Sequence, residues 1–282
     1  MFLGKLALSS ASNSRDEGGD AGDLREGAEV FGLAYGGAYA EYIAVSTKME
    51  IRKPPQLFWV EAAGIPETWI TALQAHFLVG CFRSATQFSS TPALLLCPSP
   101  LSLSSRASAV FITAGSDEKV AFCEQLGVTK GFNYRTQDWG KGVLDASGGR
   151  GEDVVVDFIG KDYAVKNFEI AAIDGRIVQL ASPSGSVLPA GLDIGILERK
   201  RLRWEGSRFR SRDLDYQSKL RDLLVDKALP RFADGTVKVL VERVFDWGEV
   251  RGAHELMEKN ESKGKIIYVW GPGPAAPTSG EL

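Results

Sequence analysis

Residue types that ligate metals or form disulfides are scarce in this sequence. It has three cysteines, Cys81, Cys97 and Cys123, an odd number without CxxC spacing, which argues against a disulfide framework or a structural zinc site and favours a reducing compartment. The two histidines, His76 and His254, have no Cys or carboxylate partners at ligand spacing. We therefore expect no metal site, with His76 on a helix as a packed or boundary histidine and His254 facing solvent.

Long apolar runs and an excess of charge of one sign are also lacking. The apolar start, residues 1–8, is broken by Lys5, is too short to span a membrane, and is soon followed by acidic residues that a signal peptide would not carry. A net charge of −3 gives no electrostatic reason to expect nucleic acid or an anionic membrane as a partner. No GxSxG motif indicates a hydrolase. These absences predict a soluble, cytoplasmic protein with neither a nucleic-acid nor a membrane partner.

Glycine is missing from one long internal segment. Residues 81–108 contain no glycine and only two charges, but they include 8 Ser, 2 Thr and 3 Pro. Leu, Ser, Pro, Phe and Cys are the residues that pyrimidine-rich codons encode, so the segment has the composition of translated intron. No helical or strand period is present, and we expect no regular element there. Sequencing the mature transcript tests this hypothesis of a splicing or gene-model artefact, and a transcript that encodes the segment without interruption would contradict it.

Downstream of this segment the sequence alternates between strand and helix patterns. Apolar, β-branched runs predict strands, which lie at 109–113, 153–158, 176–181, 201–205 and 265–269. Helical patterns lie at 117–126, 163–172, 213–229 and 249–259. This alternation predicts an α/β fold whose parallel sheet has helices on both faces.

The upstream part has a different pattern. Residues 29–46 predict a β-hairpin around Gly36 and Gly37, and residues 58–64 and 67–79 predict two helices separated by Pro66. Ser, Gly and Asp dominate residues 9–27, which is typical of disorder. The Gly/Pro-rich residues 271–282 predict a frayed tail.

Short motifs on both sides of the glycine-free segment resemble one family. Two motifs precede the segment, FGLAYGGAYAEYIAV (31–45) and AAGIPETWITA (62–72). Five follow it: TAGSDEK (113–119), GFNYR (131–135), DFIG (157–160), RIVQLA (176–181) and SRFRSRD (207–213). In order and spacing they resemble the zinc-free quinone oxidoreductase (zeta-crystallin-like) branch of the medium-chain dehydrogenase/reductase superfamily, over about residues 28–80 and 109–270. The resemblance implies a Rossmann-like parallel sheet and a remnant of a GroES-like β domain.

The resemblance also implies domain boundaries. They are a disordered leader (1–27), the GroES-like remnant (28–66, with 235–270 returning to it), the nucleotide-binding domain (67–234, with 81–108 as an atypical replacement) and a flexible tail (271–282).

The sequence departs from the family in two places. The front of the GroES-like domain is truncated, and residues 81–108 stand where the family has a strand, a glycine-rich turn and a helix. Glycines in that turn let the backbone approach a pyrophosphate at the helix N-terminus. We therefore expect the loss of an anion site and of a central strand with its covering helix.

Ser116 and Lys119 follow the strand at 109–113, at a position where such folds recognise the adenosine ribose. An acidic residue directly at the strand end would favour NAD, whereas a hydroxyl and an ammonium favour the extra phosphate of NADP. The alternative is an ordinary helix start, with Ser116 as N-cap and Lys119 solvated. The resemblance adds Gly115 to this site and implies that Tyr134 lies beside the phosphate. A half-buried tyrosine at a strand end is the alternative for Tyr134.

The resemblance implies four further contacts, with the nicotinamide half of the cofactor. Thr71 would approach the nicotinamide ribose, although a threonine in a helix also packs without any ligand. Leu180, Ala181 and Ser182 end a strand at the expected ligand edge of an open α/β sheet. Their backbone would face the nicotinamide; otherwise they are core and turn residues.

The implied activity is that of an NADPH-dependent quinone oxidoreductase by descent, with hydride transfer from nicotinamide C4 of NADPH to a quinone. We assign no catalytic side chain, because the reduced quinone oxygens can take protons from solvent and the cofactor supplies the chemistry. Two alternatives remain open: reduction of an enone or enoyl thioester, and an inactive truncated product with little or no dinucleotide binding. The resemblance further implies a homodimer formed through the nucleotide-binding domain.

Overall fold

The structure, a computed structural model, describes residues 2–5, 26–79, 86–91, 107–259 and 262–270. The chain forms two compact units, one made of Met1–Ile70 with Arg212–Leu282 and the other of Thr71–Ser211. Within the described ranges, no helix is both long and apolar enough to cross a membrane. The predictions of disorder at residues 9–25 and of a tail at 271–282 lie outside the described residues.

The strands are β1 (Phe2–Lys5), β2 (Glu29–Gly32), β3 (Glu50–Arg52), β4 (Thr86–Thr91), β5 (Ala107–Ala114), β6 (Lys130–Asn133), β7 (Glu152–Asp157), β8 (Ala171–Gln179), β9 (Arg203–Gly206), β10 (Val241–Asp246) and β11 (Lys265–Val269). The helices are α1 (Trp59–Gly64), α2 (Pro66–Leu73, continued by a π-helical stretch, Gln74–Val79), α3 (Asp117–Gln125), α4 (Trp139–Ala146), α5 (Lys161–Ile170), α6 (Gly195–Arg199), α7 (Leu214–Leu223, continued by a π-helical stretch, Leu224–Ala228), α8 (Leu229–Ala233) and α9 (Val250–Glu258).

The unit Thr71–Ser211 is built on a six-stranded parallel sheet with the order β6-β5-β4-β7-β8-β9. The predicted parallel α/β architecture is therefore confirmed for this unit. The expectation that the sheet lacks its central strand is wrong: β4 pairs with β5 on one edge and with β7 on the other. Backbone hydrogen bonds to two neighbours determine this strand, so the Ser/Thr-rich sequence TQFSST needs no apolar alternation to form it.

Both faces of this sheet are covered by apolar side chains. On one face Val154, Val156 and Val178 pack with Ala72 and Ala75 of α2 and its continuation. On the other face the buried residues come from the sheet and from α4 and α5; they include Phe111, Val155, Ile177, Trp139, Val143 and Phe168. Strands buried on both faces have continuous apolar runs, which explains the sequence DVVVD in β7.

The other unit contains two small sheets. In the first, β2 pairs antiparallel with both β1 and β3. In the second, β10 and β11 are parallel, and α1 packs against them through Val60 and Ala63.

The predicted hairpin at 29–46 is wrong in its second arm. Residues 29–32 form β2, but residues 38–46 form no strand. Because β1 and β3 occupy both edges of β2, no edge is left for that second arm. β1 also lies within the predicted leader, 1–27, so the prediction of disorder is wrong for residues 2–5.

Candidate functional site

The parallel sheet reverses its strand order at β4. From β4 the chain continues through β5 and β6 on one side, and it then returns to β7 on the opposite side of β4 and continues to β8 and β9. In open α/β sheets, ligands bind outside the carboxyl ends of the strands, at the point where the order reverses. The carboxyl edge of β5, β4, β7 and β8 is therefore the candidate site.

At the end of β5, Ser116 caps α3. Its Oγ accepts a hydrogen bond from the backbone N–H of Lys119 at 3.2 Å, as the helix-start interpretation requires. A hydroxyl that accepts one bond still has its own O–H donor and a second lone pair for a ligand. Capping and ligand contact are therefore compatible at this residue.

The turn after β6 lies against the turn after β5. The backbone N–H of Tyr134 donates to the carbonyl oxygen of Ala114 at 3.1 Å, so the two strand ends stay paired. A Cβ atom added at Gly115 would lie 2.9 Å from Tyr134 Oη and 3.5 Å from Arg135 Nε. Because residue 115 is a glycine, the phenol of Tyr134 and the guanidinium of Arg135 can lie over this turn. Four of the predicted residues are therefore close together: Gly115, Ser116, Lys119 and Tyr134.

Arg135 is a member of this cluster that the sequence did not single out. Its guanidinium carbon lies 5.9 Å from the centroid of the Tyr134 ring. Its backbone N–H donates to Asn133 Oδ1 at 3.0 Å, and Asn133 Nδ2 donates to Asp117 Oδ1 at 2.7 Å. The only sequence signal was its position next to Tyr134 in the motif GFNYR.

Buried aromatic rings support Tyr134. Tyr163 meets it edge to face at 6.3 Å and stacks on Trp139 at 4.6 Å. The hydroxyl of Tyr163 lies 3.4 Å from Thr113 Oγ1, and burial raises the pKa of Tyr163 to about 12. Tyr163 therefore stays neutral at physiological pH and acts as a packing partner.

At the end of β7, the buried carboxylate of Asp157 organises the turn DFIG. It accepts backbone N–H bonds from Ile159 at 2.6 Å and Gly160 at 3.1 Å, and a bond from Asn167 Nδ2 at 3.0 Å. Gly160 has φ +94, and a Cβ atom there would lie 2.8 Å from Ser182 Cα. The turn after β7 thus lies directly against the segment after β8.

That segment contains the three residues predicted to face the nicotinamide, Leu180, Ala181 and Ser182. The N–H of Leu180 donates to Asp157 O at 2.8 Å, and Gln179 Nε2 donates to Ala181 O at 2.5 Å. The backbone of this segment is therefore held at the carboxyl edge of the sheet. Thr71 lies on α2, and its side chain is half-buried.

The histidines and carboxylates of the described residues do not converge. No group of three or more His, Cys, Asp or Glu side chains in this part of the chain is placed to hold a metal ion. His254 is exposed, as predicted, and its Nε2 lies 3.1 Å from Tyr39 Oη. The side chain of His76 lies outside the described residues.

Comparisons with known proteins give relatives that span most of this chain. Quinone oxidoreductase-like protein 2 from Bos taurus is 25% identical over 258 residues, which are 89% of this chain and 72% of the relative. A highly reducing polyketide synthase from Arthrinium phaeospermum is 25% identical over 263 residues, but the chain spans only 10% of that protein.

Solved structures share the fold. Escherichia coli quinone oxidoreductase complexed with NADPH has a TM-score of 0.73 at 20% identity, covering 87% of this chain and 76% of that one. The JamJ enoyl reductase in its apo form has a TM-score of 0.77 at 18% identity, covering 89% and 75%. At these identities the likeness establishes the fold alone.

The family model described as zinc-binding dehydrogenase matches residues 126–267, just over half of the chain. This match begins directly after α3 and ends within β11, so it includes the turns after β6, β7 and β8 of the candidate site. The chain therefore belongs to the zinc-binding dehydrogenase family of the medium-chain dehydrogenase/reductase superfamily, with quinone oxidoreductase-like proteins among its relatives.

Proposed function

We propose that this protein is an NADPH-dependent oxidoreductase that transfers a hydride from the nicotinamide to a quinone. The observation that carries the proposal is the reversal of strand order at β4, with two groups of predicted site residues on opposite sides of it. Gly115, Ser116, Lys119 and Tyr134 follow β5 and β6, whereas Leu180–Ser182 follow β8. The adenosine half of a dinucleotide would lie at β5 and β6, and its nicotinamide half would lie at β8.

Two observations support binding of the adenosine end of NADPH at the ends of β5 and β6. Gly115 leaves open the space that a Cβ atom would fill beside Tyr134 Oη. The first carboxylate that follows β5 in the sequence, that of Asp117, accepts a hydrogen bond from Asn133 Nδ2. With a hydroxyl at 116 and an ammonium at 119, this end favours the phosphate of NADPH over the bare ribose of NADH.

When bound, NADPH would supply the hydride, from C4 of its nicotinamide. The protein's part would be to orient the ring and to exclude water, with Thr71 near the ribose and the backbone of Leu180, Ala181 and Ser182 beside the ring. The quinone oxygens can take protons from solvent, so the reaction needs neither a dedicated acid nor zinc. We expect it to take place in the cytoplasm.

The test is NADPH oxidation by the purified full chain, followed at 340 nm with a quinone, with an enone and without acceptor. Enzyme-dependent oxidation that is fastest with the quinone supports the proposal. Gly115→Val, which would drive a side chain into Tyr134 Oη, should abolish it. Gly36→Val is the matched control, because a Cβ atom there meets no other described atom within 4 Å.

A second candidate is the reduction of an enone or enoyl thioester. The match to a highly reducing polyketide synthase, reported above, favours it, because that relative is a reducing enzyme whose name carries no quinone. Both reactions would use the same cofactor site, so the acceptor decides between them. Faster oxidation with the enone would favour the second candidate.

A third candidate is a non-catalytic product with little or no dinucleotide binding. It is favoured by the absence of any glycine between Gly80 and Gly115, where the family has its pyrophosphate-binding turn. No oxidation with any acceptor, together with no detectable binding of NADPH, would support it.

A homodimer through the nucleotide-binding domain is also proposed. β9 is the last strand of the six-stranded sheet, and its four residues are exposed. An edge strand of this kind can pair with a second copy. Light scattering coupled to size-exclusion chromatography tests this, and a monomeric mass at all concentrations would contradict it.

A further inference from the structure

We infer that Tyr39 is a surface site of one-electron oxidation and nitration, with His254 as the group that takes up the phenolic proton. The reactants are radicals of the reactive nitrogen class, namely nitrogen dioxide together with the carbonate radical. The inference is independent of NADPH, because both residues belong to the unit Met1–Ile70 with Arg212–Leu282, whereas the turns after β5 to β8 belong to the other unit.

The hydroxyl of Tyr39 contacts an imidazole. Tyr39 Oη lies 3.1 Å from His254 Nε2, within hydrogen-bond distance, and the two ring planes are at 89°. A neutral imidazole whose proton is on Nδ1 accepts a hydrogen bond at Nε2, so in that tautomer the phenol donates to it. Both side chains are exposed. The pair is therefore a phenol with a proton acceptor already in place, and a reagent in solvent can reach it.

Further aromatic rings extend from Tyr39 across the surface. Trp247 and Tyr268 meet the Tyr39 ring edge to face, at 5.4 and 5.6 Å between centroids, and Trp270 stacks on Trp247 at 3.9 Å. These contacts hold Tyr39 in place although residues 38–46 form no strand. Because rings this close exchange electrons readily, an oxidation that begins at the exposed ring of Trp270 can pass to Tyr39.

The second phenol of this group, Tyr268, is less suited to lose its proton. Burial, and secondarily a hydrogen bond with Tyr39, raise the pKa of Tyr268 to about 12. Tyr268 therefore keeps its proton, whereas the hydroxyl of Tyr39 faces an imidazole. A phenol is oxidised more readily when its proton can leave together with the electron. The arrangement thus favours Tyr39 as the ring on which the radical settles.

The reaction takes place in two balanced steps. A nitrogen dioxide or carbonate radical removes one electron from the Tyr39 ring and becomes nitrite or carbonate, while the phenolic proton moves to His254 Nε2. The product is a neutral tyrosyl radical beside an imidazolium, which later releases its proton to solvent. A second nitrogen dioxide radical then forms a C–N bond at the ring carbon next to the one that carries the oxygen. The hydrogen of that carbon moves to the oxygen, which gives 3-nitrotyrosine.

Tyr42 provides a comparison within the same segment. It is 86% exposed, against 56% for Tyr39. Within the described ranges its hydroxyl contacts no imidazole and its ring meets no other aromatic ring. If exposure alone decided the reaction, Tyr42 would be nitrated more than Tyr39. If the proton acceptor decides it, Tyr39 would be nitrated more.

The experiment treats the purified full chain with substoichiometric peroxynitrite in bicarbonate buffer, which generates both radicals. Trypsin releases residues 26–48 as one peptide, which contains Tyr39 and Tyr42. Fragment-ion mass spectrometry then gives the nitrated fraction of each tyrosine in that peptide. The variants are His254→Gln and Tyr39→Phe. Glu255→Gln is the matched control, because it changes an exposed residue next to His254 on α9.

We expect the nitrated fraction of Tyr39 to exceed that of Tyr42 by roughly tenfold in the parent chain. This is less than the roughly 10²- to 10⁴-fold that a positioned base contributes in an enclosed site, because solvent competes for the proton here. His254→Gln should lower the nitration of Tyr39 to about that of Tyr42 or below, since glutamine does not take up the proton. Glu255→Gln should leave the ratio unchanged.

Two readouts separate this role from a merely structural one. If His254→Gln only loosened the segment around Tyr39, that ring would become more exposed and its nitration would rise rather than fall. In Tyr39→Phe the oxidation of Trp270 to hydroxytryptophan and kynurenine should increase, because the phenol to which the radical passes is gone.

Three outcomes would overturn the inference. Nitration of Tyr42 equal to or above that of Tyr39 in the parent would show that exposure alone decides the reaction. A preference for Tyr39 that persists in His254→Gln would show that the imidazole is not the proton acceptor. No nitration of either tyrosine under conditions that nitrate free tyrosine would remove the site altogether. None of these results bears on the proposed function, which is tested with NADPH.

Discussion

At the end of β7, the backbone N–H of Gly160 donates hydrogen bonds to both carboxylate oxygens of Asp157, at 3.1 and 3.2 Å. Asp157 is fully buried and also accepts bonds from Ile159 N and Asn167 Nδ2. It therefore determines the shape of the turn that supports the segment 180–182. Removal of such an acceptor leaves several buried donors without a partner.

We predict that Asp157→Ala lowers the free energy of unfolding by about 3 kcal/mol or more, because each buried donor without a partner costs about 1–3 kcal/mol. Asp157→Asn should cost less, since one oxygen acceptor remains. Chemical denaturation of the full chain measures both. Asp162→Asn, an exposed carboxyl at the start of α5, is the control and should stay within about 0.5 kcal/mol of the parent. Equal stability of Asp157→Ala and the control would contradict this role.

A second prediction compares two glycines with nearly the same backbone conformation. Gly160 has φ +94 and Gly127 has φ +97, so alanine is strained to a similar degree at both. At Gly127 an added Cβ atom meets none of the described residues within 4 Å, whereas at Gly160 it would lie 2.7 Å from Gly185 O and 2.8 Å from Ser182 Cα. Gly127→Ala should therefore cost only the conformational strain, about 1–2 kcal/mol.

Gly160→Ala should cost at least about 1–3 kcal/mol more, because backbone atoms must move to admit the methyl group. It should also reduce any NADPH oxidation, since the segment 180–182 is displaced. Thermal unfolding and the 340 nm assay on both variants measure the difference. Similar losses of stability in Gly160→Ala and Gly127→Ala would show that the contact with Ser182 is unimportant.

A third prediction concerns the buried carboxyl of Glu152 at the start of β7. Among the residues that the structure describes, neither of its side-chain oxygens has a hydrogen-bond partner. Burial, and secondarily the charge of Asp153, raise the pKa of Glu152 from 4.5 to about 8, while Arg150 opposes the rise. Between these two pH values the folded chain binds a proton that the unfolded chain has released. This group's contribution to stability therefore falls as the pH rises from about 4.5 to 8, by at most about 1.4 kcal/mol per pH unit.

Glu152→Gln carries no titrating proton and should remove this part of the pH dependence. The variant should be more stable than the parent at pH 8 and lose that advantage near pH 5. Denaturation curves at both values measure the change. Glu205→Gln, at an exposed position on β9, is the control and should keep the pH slope of the parent. A parent and a Glu152→Gln variant with the same slope would show that this carboxyl does not titrate in the folded state.

The strands buried on both faces could be predicted from the sequence because their apolar runs are continuous. DVVVD marks β7, and the apolar run in ASAVFITA marks β5. β4 and α4 were missed for different reasons. β4 has a polar sequence, and it is specified by backbone hydrogen bonds to the strands on both sides. α4 includes Gly140 and Gly142, and glycines weaken a helical sequence pattern.

The candidate site was predictable where a residue follows a strand directly. Ser116 and Leu180 are examples, because the ends of parallel strands meet at one edge. Arg135 could not be singled out in this way. Its place in the cluster depends on the contact between the turns after β5 and β6, which joins residues about 20 positions apart in the sequence.

The last prediction concerns the affinity for NADPH. The pyrophosphate-binding turn of the family needs glycines, and none occurs between Gly80 and Gly115. If contacts worth a few kcal/mol are lost with it, the affinity should fall by orders of magnitude relative to an enzyme with an intact turn. Titration of NADPH fluorescence against this chain, with Escherichia coli quinone oxidoreductase as the comparator, measures the difference. A micromolar dissociation constant for this chain would contradict the prediction, and it would mean that residues after β4 bind the pyrophosphate without glycine.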